Sequence, residues 1–137
     1  MTACVRERLL SAIITAVGGQ YGLPAPEDER DLPVTIVQDG SDEAATSYDT
    51  TRLSMPVNIG RAEAAGSGNR DDLRAQAHAA LAALITAMHF DETFGGLALG
   101  IDYTGGGVQT EAGKFVFAEA SFAVRYQHLR GQPAVIS

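Results

Sequence analysis

GIDYTGGGVQTEAGKFVF, residues 100–117, sets three consecutive glycines, Gly105, Gly106 and Gly107, between two apolar stretches. The segment after the glycines decides the fold. A phosphate-cradling loop needs glycines between a strand and the first turn of a helix, where free N–H groups and the helix dipole face the anion. Here Val116, Ala118, Ala120, Phe122, Val124 and Tyr126 alternate along the next segment, which makes it a strand. Lys114 is the one lysine of the chain, and neither Ser nor Thr directly follows it. Residues 104–114 therefore read as a long hairpin tip, mobile until something binds it.

Working back from that hairpin, Leu97, Leu99, Ile101 and Tyr103 alternate and form its first strand. The loop DETFGG, residues 91–96, leads into it. Before the loop, Leu73, Ala77, Leu81, Leu84 and Met88 mark one stripe of a helix over about 70–89, with Asn69 as N-cap and Asp71 and Asp72 in its first turn. Residues 51–60, TRLSMPVNIG, alternate Leu53, Met55, Val57 and Ile59 with polar positions, as a half-buried strand does. Pro56 lacks an N–H and places that strand at a sheet edge or a bulge. PVTIVQDG is a further short strand, and a helix over about 3–17 carries Val5, Leu9, Ile13 and Val17 on one stripe and ends at Gly18 and Gly19. Residues 20–33, 41–50 and 61–69 read as polar or flexible connections.

The order is helix, two strands, helix, two strands. Neither pair of strands is split by a helix, so each can form a hairpin. The expected fold is α+β: one domain over 1–137, with a four-stranded, mainly antiparallel sheet and two helices packed on one face.

Composition narrows the function. The chain has 137 residues, 45% hydrophobic and 20% charged, enough for a real core without disulfides or metals. Cys4 is the single cysteine, so no internal disulfide forms. MTACVRERLL puts charge where a secretory leader needs apolar residues, and no apolar run approaches the roughly 20 residues of a membrane span. A reducing cytoplasm is the expected compartment. The net charge of −7 and the scattered arginines argue against nonspecific affinity for nucleic acid.

Chemistry-bearing constellations are weak. His78 and His89 lack the spacing that joins two ligands on a helix, and His89, Asp91 and Glu92 read as a helix end followed by a solvated loop. Asp39, Ser41, Asp42 and Glu43 lack the central glycine and the distant Glu of a calcium loop. No serine sits in a G-x-S-x-G elbow. No catalytic, cofactor or metal set stands out, and no enzyme activity is expected.

The layout resembles the tail terminator, or tail completion, proteins of long-tailed bacteriophages, the family of the lambda-type minor tail protein U. The likeness rests on order and spacing: the N-terminal helix VRERLLSAIITAV, an exposed loop into TRLSMPVNIG, the alanine-rich helix LRAQAHAALAALITAM, and two strands joined by the glycine-rich loop and ending FAVRYQHLRGQP. The resemblance implies a structural protein of the virion neck, assembled in the host cytoplasm. It implies a ring, usually a hexamer, that caps the head-proximal end of the tail tube, ends tube growth and docks a head completion or connector protein. Its partners would be other copies of itself, the tail tube protein and that connector. Six copies carry six times −7, or −42, so DNA would pass through without specific binding. A related connector or tube subunit, or a small-ligand binder using Phe115 and Phe117, is the alternative.

Contact candidates come from expected exposure: residues 41–50, 61–69, 91–96, 104–114 and 130–137. Within or beside them Tyr48, Arg52, Phe94 and Arg130 are of the types enriched at interface hot spots. Gly105, Gly106, Gly107 and Lys114 mark the hairpin tip, as an arm that orders on assembly.

Overall fold

The helix boundaries have visible causes in the computed structural model, which describes residues 3–22, 32–111 and 115–136. Helix α1 (Val5–Val17) starts at Cys4, whose sulfur accepts the Glu7 N–H, and stops at Gly18, which takes the left-handed φ of 64°. Helix α2 (Arg70–His89) starts at Asn69, whose side chain accepts the N–H groups of Asp71 and Asp72. Strands β1 (Gln20–Tyr21), β2 (Val34–Asp39), β3 (Glu43–Thr46) and β4 (Thr50–Ala64) lie between the helices. Strands β5 (Gly100–Glu111), β6 (Phe115–Leu129) and β7 (Gln132–Ile136) come after α2.

The expectation of a four-stranded sheet is corrected. The sheet has seven strands, is mixed rather than antiparallel throughout, and curls as a half-barrel. Its path runs β1-β2-β4-β6-β5, with β1 parallel to β2 and the other neighbours antiparallel. β3 lies along β4 on the same side as β2, and β7 adds to β6 beyond β5. The α+β class stands. The extra strands leave little trace in the sequence because they bury almost nothing: all four residues of β3 are exposed, and so are both residues of β1. A strand without a buried side leaves no alternation to read.

One sheet face meets both helices. Val37, Met55, Val57, Ile59, Ile101, Phe122, Val124 and Tyr126 form a single core with Val5, Leu9 and Ile13 of α1 and Leu84 and Met88 of α2. Phe122 packs edge-on against Tyr103 and His89. Burying one such aromatic contributes roughly 1.5–3 kcal/mol.

Pro56 is not at a sheet edge; it lies where the neighbouring side is irregular, residues 40–42 facing only Met55 and Pro56. β4 is paired on both sides, to β6 throughout and to β2 and β3 in two stretches. The break between those stretches falls opposite Pro56. Its carbonyl accepts the Gly40 N–H at 2.8 Å, so its missing N–H would have pointed to the same side, at the Gly40 carbonyl. The proline thus marks where β2 ends and β3 begins.

Candidate functional site

The Gly40 carbonyl, deprived of a partner by Pro56, accepts instead from the Arg6 guanidinium at 2.7 Å. Arg6 reaches there because Val5 and Leu9 anchor the start of α1 in the core. The same guanidinium bonds the carboxylates of Asp39 and Asp42, which bracket the turn from β2 to β3. Asp39 also accepts from the Tyr21 hydroxyl at 2.6 Å, and Asp42 from the Tyr126 hydroxyl at 2.7 Å. Partial burial would raise the Asp39 pKa, but the bonds from Tyr21 and Arg6 outweigh it and hold the carboxyl below its ordinary value. Burial and the Asp42 carboxylate push the Tyr126 hydroxyl well above its ordinary value. Arg6, Asp39, Asp42, Tyr21 and Tyr126 together clamp the turn that launches β3.

Beyond the clamp, β3 and the start of β4 form a hairpin. Its three-residue tip, 47–49, is closed by the Ser47 N–H on the Thr50 carbonyl at 2.8 Å. Tyr48 at the tip is 92% exposed. The turn between β6 and β7 supports it: the Arg130 N–H donates to the Asp49 carbonyl at 2.8 Å, and the Arg130 guanidinium approaches the Tyr48 carbonyl at 3.4 Å. Arg52, exposed on β4, lies opposite Ala45 and Gln127. Three of the residues expected at a contact surface, Tyr48, Arg52 and Arg130, are therefore brought to one end of the sheet.

The other expected contact residues are dispersed. Phe94 is 8% exposed and belongs to the core, not the surface. Its backbone takes a left-handed φ of 48°. The surrounding loop is held by the Asp91 carboxylate, which accepts from the Gly95 N–H at 2.9 Å and from Thr93. These bonds keep the Asp91 carboxyl below its usual range. Gly105, Gly106 and Gly107 are not a loop tip: they pair with Ser121, Ala120 and Glu119 within β5. Lys114 lies outside the described residues.

A groove of about 710 Å3 runs between the helices on their outer side, lined by Ala12, Ala16, Ala87 and Phe94, with Phe90 at its rim. Phe90 is 90% exposed. From Ala75 to Phe90 the exposed positions of α2 carry no Asp, Glu, Lys or Arg. On the opposite sheet face a hollow of about 290 Å3 opens over Gly106, Gly107, Phe117 and Glu119. No group of three or more His, Cys, Asp and Glu side chains among the described residues is placed to hold a metal. No helix among them is long and apolar enough to cross a membrane.

No protein-family model matches the chain, and a search of curated proteins found no match.

The clamp is not apparent from the sequence. Arg6, Asp39 and Asp42 lie up to 36 positions apart, and only folding brings them together. Pro56 was the one available signal, since a proline inside a strand implies that some carbonyl needs another donor.

Proposed function

We propose that the chain is a tail terminator of a long-tailed phage, a structural protein with no chemistry of its own. Six copies close into a ring on the head-proximal end of the tail tube. The ring ends tube growth and presents a docking surface to the head completion protein. The β3–β4 hairpin carries this reading: an ordered ribbon, clamped at its base, whose β3 residues bury nothing within one copy. Ordering four residues with no buried side chain is costly, and contact with another subunit offsets that cost. The Tyr48, Arg52 and Arg130 end supplies side chains of the kind that dominate protein contacts. A net charge of −7 per copy suits a bore through which DNA slides without sticking.

Light scattering coupled to sizing tests the reading. The full chain should shift from single copies toward a closed oligomer as concentration rises. A saturable small-molecule ligand bound by a permanent monomer would overturn it, and so would tight DNA binding at low salt.

A further inference from the structure

We propose that neighbouring copies in the ring share one sheet, the outer edge of β5 in one copy pairing with the outer edge of β3 in the next. The inference rests on the ring reading and names its joint. Within the described residues β5 ends the sheet on one side, paired only to β6, and β3 is paired only to β4. Exposed edges are commonly blunted by proline, lysine, a bulge or short length. Neither proline nor lysine occurs in Gly100–Glu111 or in Glu43–Thr46; β3 is four residues long, and the bulge of β5 between Tyr103 and Gly105 leaves the stretch from Gly105 onward as its regular edge.

Strand direction makes the two edges complementary. β3 opposes β4, β4 opposes β6 and β6 opposes β5, so β3 and β5 run in opposite directions. A second copy added in the same orientation, continuing the sheet, offers β3 antiparallel to β5. The joint uses two different patches, and such head-to-tail contacts close into a ring when the rotation per copy divides a circle, whereas β5 against β5 would stop at a dimer.

The glycines then acquire a role. A bulge between Tyr103 and Gly105 divides β5, and the outer part begins at the triplet. A Cβ on Gly107 would meet nothing within 4 Å, so the backbone there is bare on the open face. Glycine in a strand marks places where another backbone comes close.

Cross-linking tests the joint. In a Cys4→Ser background, which keeps an N-cap oxygen, Gly107→Cys and Ala45→Cys are made singly and together and treated with a short bismaleimide. Gln109→Cys, also exposed, serves as a second β5 site, and thermal unfolding verifies that each variant folds. The double variant should give a ladder of cross-linked species up to the closed ring, and each single variant should stay uncross-linked. Dimers from Gly107→Cys alone would overturn the joint in favour of β5 against β5. Rings seen by microscopy without cross-links in either double variant would overturn the joint while leaving the ring. Absence of any oligomer would overturn the ring and the joint with it.

Discussion

The two halves of β4 differ in what they do. From Met55 onward Met55, Val57 and Ile59 are buried under the helices, and the strand is the floor of the core. Before Met55 the strand is half-buried or exposed, and it pairs with β3. Pro56 and the Arg6 clamp sit at the boundary. One strand can therefore serve as core and as support for the β3 hairpin, provided the break on its β2/β3 side is bridged by something other than ladder bonds.

Perturbations on either side of that junction should separate stability from assembly. The largest effect is expected in the inner half. Phe122→Ala should cost about 3–5 kcal/mol in denaturant unfolding, because the ring is buried against Tyr103 and His89. At the junction, Arg6→Met leaves Asp39 and Asp42 partly buried without their cation and the Gly40 carbonyl without its donor. A loss of about 1.5–3 kcal/mol is expected, with hydrogen exchange accelerating through residues 40–46.

Acid should act on the same junction. Asp39 is held below its ordinary value, so the stability it contributes is full above the unfolded-state pKa of about 4. That stability is lost as pH falls through the lowered folded value. Unfolding midpoints measured below about pH 4 should drop, and less steeply in Asp39→Asn.

The glycine triplet gives a contrast between adjacent positions. A Cβ on Gly106 would lie 2.6 Å from the Glu119 carbonyl, so Gly106→Ala should cost about 1–3 kcal/mol by thermal unfolding. Gly107→Ala meets open space and should stay within about 0.5 kcal/mol. The smallest stability effect is expected at the tip of the β3 hairpin. Tyr48→Ala should change unfolding by no more than about 0.5 kcal/mol yet weaken self-association in sedimentation, whereas Phe122→Ala does the reverse at concentrations where it remains folded.

Legibility in the sequence divides along the same line. The stripe of Val5, Leu9 and Ile13, the cap at Asn69 and the alternation from Val116 to Tyr126 all reflect burial, and burial writes a periodic pattern. β3, β1 and β7 rest on backbone pairing with little burial, so their side chains carry no such record. The glycine run looks like a turn because glycine is disfavoured in strands, but β6 supplies the ladder regardless. Phe94 looks exposed because its neighbours are polar or glycine. The Asp91 bonds that fold its loop back, and so bury the ring, involve groups that read simply as a solvated loop. Of the site, Tyr48, Arg52 and Arg130 are visible as residue types at loops and strand ends, whereas their meeting at one end depends on the long pairing of β4 with β6.

Negative-stain electron microscopy of the full chain across a concentration series tests the ring most directly. Annular particles of six copies with an open bore are expected, becoming fewer in Tyr48→Ala. Compact single copies at every concentration, with no annuli in the unaltered chain, would contradict it.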